Sequence, residues 1–515
     1  MKTLLRLLSV LITAVALHAG DATSLLSNGD FEAGEGKPAG WGLPAGITWE
    51  SDNGNRFARF TANGAMVMFY REVDVRGRKA LQLNLRARHV GIKPGEKPWF
   101  DGRVMLSFRD ADKKELKGGP GAPNFRGTAE AWKDVSLRFR VPEGAAVLAV
   151  MPCMFKAAEG TLDLDDIVLT EIDPELVDAG KPKGVDDPAL PQAIAASDPR
   201  LHYSGRWDTA DAGGPRSEWP ATQIHLVLEG TAINAVLAGP HAFQVVVDGA
   251  PTKTVTIVNG QSIYNLASGL APGRHRIELC KRTEGWGGPV QVKGFQIPAD
   301  AKLLDPPTFA RRVMFIGDSI TCGYGNEAAS EKERFSAATE NAWLAWGAVA
   351  ARSLDAELTS LAVSGIWLQP NQEGKPPMPE LWTRTMPFTP AQPWDPARWQ
   401  PDVVVVNLGT NDKRKPMDEQ AWSAAYRAFI AQIRSVHPQA HIFLCIGPMG
   451  HGIIAKANEA IAAACVAGGD ARVHALALPD QKPANGIGAD WHPSVKTHQL
   501  MADTIAAAIR TQLGW

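Results

Sequence analysis

Ser319 stands in the stretch FIGDSITCGYGNE, residues 315–327. An apolar run from Val313 to Ile316 stops at Gly317, and Asp318 and Ser319 follow at once. A serine hydroxyl becomes a nucleophile only when a base removes its proton. At the end of a buried strand it should open a helical turn, where free backbone N–H groups and the helix dipole favour negative charge. The same three residues also suit a plain structural turn. Other blocks tip the balance toward chemistry. Ala362-Val363-Ser364-Gly365 places a glycine after a short apolar run. The run Val403–Leu408 ends in Gly409-Thr410-Asn411-Asp412, and Asp490-Trp491-His492-Pro493-Ser494 precedes an amphipathic stretch, Thr497–Leu513.

The elements that must position these residues are readable as well. Val313–Ile316, Val403–Leu408 and Ile442–Ile446 are short and wholly apolar, as buried parallel strands are. Asn341–Leu354 and Gln420–Val436 repeat apolar residues at three-and-four spacing, which predicts helices. Strand alternating with helix implies a parallel sheet covered on both faces, with ligands at the carboxyl ends of its strands. The blocks above would then share one rim of an α/β, flavodoxin-like domain over residues 310–515.

The blocks resemble those of the SGNH (GDSL-like) hydrolases: Ser319 in GDSI, Gly365 in VSGI, Asn411 in GTND and His492 in DWHP, in that order. Within that group, GDSITCGYGNE, the TEGW turn at Thr283–Trp286 and ADWHPSVKTH at Ala489–His498 are most similar to carbohydrate esterase family two, which deacetylates plant polysaccharides. The resemblance runs from about Ser197 to the C-terminus. It implies that Ser319 is the nucleophile and His492 its base. It also implies that the N–H groups of Ser319 and Gly365 and the side-chain amide of Asn411 meet the oxyanion. A bare backbone at Gly365 allows close approach.

Most SGNH enzymes carry an aspartate three residues before the histidine. Here Ala489 holds that place and Asp490 sits two before. Asp490 is therefore either the orienter of the imidazole or a neighbouring or capping group, and a Ser–His dyad supported by the Trp491 carbonyl is the alternative. Asp318 reads as structural, bonded across strand ends. Trp491, Trp367 and Trp399 are candidates to wall the acyl pocket or stack on a sugar, against plain core packing. His437, His441, His451, His474 and His498 match no block and read as structural or surface residues. Acyl transfer through serine requires no metal, and no cofactor is expected for it.

Ahead of the hydrolase lie two β-rich segments. In residues 24–173, Ala80–Ala87, Asp134–Val141 and Thr161–Leu169 alternate polar and apolar residues as half-buried strands do. Its opening Asn28-Gly29-Asp30-Phe31-Glu32 and closing Asp165–Leu169 resemble jelly-roll carbohydrate-binding modules. That resemblance implies a structural calcium near Glu32 and Asp166; the alternative is a pair of solvated carboxylates. Residues 174–199, rich in Pro, Asp, Lys and Gly, read as a linker. Residues 200–300 read as a smaller second jelly roll, with strands at Ala242–Gly249, Val255–Gly260 and Arg274–Arg282.

The chain has 515 residues, more than one core can organise, which predicts about three domains. A formal net charge of −2 and the lack of a long Lys/Arg run argue against a nucleic-acid partner. Lys2 and Arg6, the apolar run Leu7–Leu17 and the small residues Ala19, Gly20 and Ala22 form a secretory signal over residues 1–22. No later run is apolar enough to span a bilayer, so the mature chain is expected to be soluble, secreted or periplasmic, with no membrane partner. The 5 cysteines are scattered without metal spacing, and one disulfide or none is expected. The function that follows is a serine esterase acting on an acetylated polysaccharide such as xylan or glucomannan. Alternatives are a lipase or thioesterase, for which no apolar lid segment is evident, and a glycan-binding protein with an inactive hydrolase domain.

Overall fold

The computed structural model describes residues 24–97, 99–116, 119–177, 184–370, 376–412, 418–450 and 452–515. The signal segment and His451 lie outside them. The chain is multidomain, and it separates into two compact units, Met1–Lys181 and Pro182–Trp515.

The first unit is built from two antiparallel sheets, with Asn55–Thr61, Glu159–Glu171 and Ala80–Lys93 adjacent in one and Val147–Phe155 beside Gly102–Arg109 in the other. One core joins them, including Phe60, Leu83, Leu85, Leu164, Val104 and Phe108. Alternation along Ala80–Ala87 sends the leucines inward and Asn84 and Arg86 outward. On that outer face Asp163 takes Arg59 at 2.7 Å and Arg88 at 2.8 Å.

The second unit begins with a β-rich part and ends in an α/β part. Two antiparallel sheets share a core through Ile224, Leu226, Phe243, Ile277 and Phe295. The linker expectation changes here. Residues 184–199 dock onto this part: Gln192–Ala195 is an edge strand paired with Val290–Ile297, and Asp186 accepts the Ile263 N–H at 2.8 Å. The strand Gln223–Glu229 is buried on both faces up to Leu228. Its inner residues fill the β core, while Ala221, Val246 and Cys280 of the same β-rich part pack into the hydrolase core beside Phe315 and Trp346.

In the α/β part, strands β1 (Arg311–Gly317), β2 (Ala356–Ala362), β3 (Val403–Asn407), β4 (His441–Ile446) and β5 (Val473–Ala477) form a parallel sheet in the order β2-β1-β3-β4-β5. The apolar runs are continuous because both faces are covered. Met314, Ile316, Val404 and Val406 meet one layer that includes Trp422, Phe429 and Ile454; Val313, Phe315, Val403 and Val405 meet the other, with Trp346, Met501 and Ile505. The helices are α1 (Ser319–Cys322), α2 (Trp346–Ser353), α3 (Met378–Leu381), α4 (Glu419–Val436), α5 (Gly452–Ala467) and α6 (Val495–Leu513). The helix expected over Asn341–Leu354 breaks into a short 3-10 turn, Ala342–Leu344, and α2, because Ala345 is extended at φ −71°, ψ 151°. Among the described residues no helix is long and apolar enough to cross a membrane. All five cysteines are free, and Cys153, Cys280, Cys322 and Cys445 are buried.

Candidate active site

Register explains why separated blocks meet. Gly317 pairs with both Ala362 and Asn407, and Asn407 pairs with Cys445, so these strands end level. The chain leaving β1 is Asp318–Ser319, the chain leaving β2 is Val363–Gly365, and the chain leaving β3 is Leu408–Asp412. A glycine must close β1, since a Cβ at Gly317 would lie 2.1 Å from Thr321 Oγ1. Asp318 then caps α1, accepting the Ile320 N–H at 3.0 Å. It is structural as expected, and its other oxygen meets Asn411 Nδ2 at 3.4 Å.

Ser319 and His492 are both 8% exposed, and Ser319 Oγ lies 2.9 Å from His492 Nε2. His492 Nδ1 lies 3.1 Å from the carbonyl oxygen of Ala489. A carbonyl only accepts, so the ring proton sits on Nδ1 and Nε2 is left to accept the serine proton. The histidine turn is clasped to the serine loop: Ala489 N–H donates to Gly325 O at 2.9 Å, and Val495 N–H to Asn326 O at 3.2 Å. Within that turn Asp490 and Trp491 both have positive φ, 47° and 68°. This left-handed pair brings the Ala489 carbonyl back under the ring.

Of the two readings of Asp490 the contacts fit the neighbouring group rather than the orienter, and the Trp491 carbonyl is corrected. The Asp490 carboxylate turns away from the imidazole to accept the Tyr324 hydroxyl at 3.1 Å and the Phe335 N–H at 3.0 Å, with Arg334 at 3.3 Å. The Trp491 carbonyl accepts from Gln481 at 3.0 Å, so Ala489 rather than Trp491 supplies the main-chain acceptor for the ring. The Tyr324 ring, bonded to Asp490 through its hydroxyl, lies 4.2 Å from both His492 and Phe335 by centroid. Burial, then the negative charge of Asp490, raises the Tyr324 pKa, so the phenol keeps its proton.

Asn411 is 2% exposed and donates to the Ile366 carbonyl at 3.0 Å, which ties it to the Gly365 loop. Gly365 itself is exposed at φ 74°, and a Cβ there would meet nothing within 4 Å. Asp412, beside Asn411, accepts the Leu368 N–H at 3.2 Å, and burial raises its pKa. The loops bearing Ser319, Gly365 and Asn411 thus surround one spot.

Of the tryptophans, Trp491 is 59% exposed beside His492, and Trp367 is half-buried two residues past Gly365. Trp399 is corrected. It precedes β3 at the amino end of the sheet, away from the serine, and its indole donates to Glu357 Oε2 at 2.7 Å. That carboxylate also holds His202 at 2.8 Å. His498 is fully buried, accepts the Trp346 N–H at 3.2 Å, and is pushed down to about 3 by burial. His437 packs against Trp382 and is pushed down to about 4 for the same reason, while His441 and His474 stack on each other.

Glu32 accepts the Arg56 N–H at 2.7 Å, and Asp166 pairs with Arg86 at 2.8 Å. Burial first, then Asp165, Asp30 and Glu32, raise the Asp166 pKa, so the acids are neighbours; Arg86 competes with any cation there. Among the described residues one buried group has metal-like spacing, Glu284, Cys322 and Glu340, with donor atoms within 4.8 Å. The Lys281 ammonium feels both glutamates, and burial raises the pKa of each of them.

Two family descriptions match this part of the chain: "Carbohydrate esterase 2 N-terminal" over residues 203–307 and "GDSL-like Lipase/Acylhydrolase family" over residues 315–500. An "Acetylxylan esterase / glucomannan deacetylase" of Cellvibrio japonicus is 30% identical over 339 residues, 61% of this chain and 91% of that protein. The chain belongs to carbohydrate esterase family two. It is a carboxylic ester hydrolase by that membership. A solved family two carbohydrate esterase from Clostridium thermocellum, in complex with cellohexaose, is 38% identical with a TM-score of 0.58, over 61% of this family two chain and 99% of that one. "Cellulase/esterase CelE" of Acetivibrio thermocellus is 37% identical over 326 residues, 62% of this chain; the family two chain spans 40% of the length of CelE.

Sequence reasoning missed the Ala489 carbonyl and the Tyr324 ring. It noted Glu284 only as part of a motif, without a role. A main-chain acceptor leaves no side-chain signature. Tyr324, five residues past Ser319 in FIGDSITCGYGNE, is an aromatic close enough in sequence to the serine to mark it as a wall of the site.

Proposed function

We propose that the protein is a secreted serine esterase that removes O-acetyl groups from a plant polysaccharide such as xylan or glucomannan, through a Ser319–His492 acyl-enzyme mechanism. The 2.9 Å contact between Ser319 Oγ and the unprotonated Nε2 carries the reading. Ser319 Oγ–H gives its proton to Nε2 as the oxygen attacks the acetyl carbonyl carbon. The charge that develops on the carbonyl oxygen is met by the N–H groups of Ser319 and Gly365 and by Asn411. Collapse breaks the bond to the sugar oxygen, which leaves with the proton from Nε2. A water molecule then gives its proton to the same nitrogen and attacks the acetyl-serine; collapse breaks the acyl–Oγ bond, Oγ takes that proton back and acetate leaves. The Ala489 carbonyl stabilises the imidazolium formed in each half. Acetylxylan and glucomannan enter from the name of the Cellvibrio relative. The first unit would hold the enzyme near its polymer and raise the local concentration. Export would use the segment over residues 1–22.

Acetate release from acetylated xylan and glucomannan tests the reading. The Ser319→Ala and His492→Ala proteins should each lose activity by a factor on the order of 10³ or more, and by similar amounts, because the two act as one unit. Acetate release by Ser319→Ala equal to that of the wild type sinks the mechanism.

A further inference from the structure

Outside the serine, histidine and amide set, the strongest unassigned cluster surrounds Glu284. This residue lies in the TEGW turn of the β-rich part and is 1% exposed. Its Oε2 accepts the backbone N–H of Ser364 at 2.8 Å, and its Oε1 accepts the Ser364 hydroxyl. Ser364 is the residue immediately before Gly365. One carboxylate therefore grips both donors of the residue on which the Gly365 amide is mounted.

We propose that Glu284 is a positioning residue of the esterase site: the β-rich part, through this carboxylate, clamps Ser364 and so sets the Gly365 N–H against the developing oxyanion. The inference rests on the esterase reading above and deepens it. Gly365 needs such help. A glycine at φ 74° with open space around it has no side chain to fix its conformation and wide freedom to leave it. An oxyanion donor works only when it is already aimed before charge develops. The neighbouring loop donor, Asn411, is tied down through Ile366 O on the far side of Gly365. Glu284 supplies the matching anchor on the near side.

The clamp is itself held. The Glu284 N–H donates to Glu340 Oε2 at 3.3 Å. Lys281, wholly buried, donates to the carbonyls of Glu218, at 3.0 Å, and Thr283, and places its charge beside both acids. A buried carboxylate without a cation would be costly, and removing its partner more so. These contacts hold the Glu284 backbone and set a cation beside its carboxylate, whose oxygens take the Ser364 N–H and hydroxyl.

The test uses the full chain and p-nitrophenyl acetate. Glu284→Gln keeps the shape but presents one accepting oxygen in place of two. Its kcat should fall about 10-fold or more, with KM within about 2-fold, since the lost interaction matters only when charge develops. Combined with Gly365→Ala, the losses should be less than multiplicative, because both act on one donor. Ser364→Ala, which keeps the N–H bond and loses only the hydroxyl bond, should fold and lower kcat about 3- to 10-fold. It decides the matter if Glu284→Gln does not fold. Wild-type kcat in a folded Glu284→Gln or in Ser364→Ala, or fully multiplicative losses with Gly365→Ala, overturns the clamp. Activity that survives in Ser319→Ala instead overturns the esterase reading beneath it.

Discussion

The carbonyl oxygen of Ala489 lies 3.1 Å from Nδ1 of His492, in the place where a triad would put a carboxylate. A dipole does part of what a charge would do: it fixes the tautomer and steadies the imidazolium, at lower electrostatic strength. The neighbouring carboxylate, Asp490, is spent on Tyr324 and Phe335. Asp490→Asn should therefore lower kcat by less than about 10-fold, where loss of a true triad aspartate costs on the order of 10⁴. Asparagine also tolerates the left-handed φ of 47° that this position needs. Steady-state rates on an acetyl ester check it, and a fall of three orders would restore Asp490 to the role of orienter.

Asn411 and Gly365 separate electrostatics from folding. Asn411→Ala removes the amide proposed to meet the oxyanion, together with its bonds to the Ile366 carbonyl at 3.0 Å and to Asp318 at 3.4 Å. Loss of one oxyanion donor costs about 3–4 kcal/mol of barrier, so kcat should fall by about two to three orders. Gly365→Ala adds a methyl that touches nothing in the protein, yet at φ 74°. Its melting temperature should drop by only a few degrees, since a left-handed alanine costs about 1–2 kcal/mol, while kcat drops much further. A variant with normal kcat would remove Gly365 from the oxyanion site.

His498 offers a pH test with a defined sign. Burial pushes its pKa down to about 3 from an ordinary value of 6.5. The unfolded chain takes up a proton near 6.5 that the folded protein refuses until about 3. The stability that His498 contributes is therefore complete above pH 6.5 and is lost as pH falls below it, at about 1.4 kcal/mol per pH unit. Other groups titrate in the same range, so the informative quantity is a difference. The stability gap between wild type and His498→Gln should shrink by about 2 kcal/mol between pH 7.5 and pH 5. Denaturant unfolding at the two pH values measures it, and a constant gap refutes the buried neutral imidazole.

The parts legible in the sequence were those with a side-chain cost. The apolar runs of β1, β3 and β4 could only be strands covered on both faces, and Gly317 announced where the first must end. Ser319, Gly365 and Asn411 are neighbours because β1, β2 and β3 end in register, and the His492 turn joins them through its backbone bonds to Gly325 and Asn326. What stayed hidden depends on backbone or on contact between domains. The Ala489 carbonyl has no residue type attached to it. The edge strand Gln192–Ala195 is short and set in polar, proline-rich chain, so nothing marked it off from a linker until Val290–Ile297 paired with it. Gln223–Leu228 is buried on both faces, and its neighbours Ala221 and Cys280 pack into the hydrolase core, a contact the strand's own sequence does not announce. A tryptophan near a motif in sequence likewise says little about which end of the sheet it reaches, as Trp399 shows.

Trp399 and Trp491 differ in what they hold. The Trp399 indole donates to Glu357, a buried carboxylate that also holds His202 and Ser204 from the β-rich part. Burial opposes the charge on Glu357, but His202, Trp399 and Ser204 together hold its pKa below the usual carboxylate value. Trp399→Phe removes one of those donors from a buried charge, at a cost of about 1–3 kcal/mol. It should lower the melting temperature and leave kcat and KM on acetylated xylan unchanged. Trp491, 59% exposed beside His492, has no such burden. Trp491→Ala should leave the melting temperature within a few degrees and raise KM for the polymer, with a smaller effect on a small acetyl ester that cannot reach across the rim. Thermal unfolding set beside the two kinetic assays reads both. The assignments fail together if Trp399→Phe alters KM for the polymer or Trp491→Ala alters only stability.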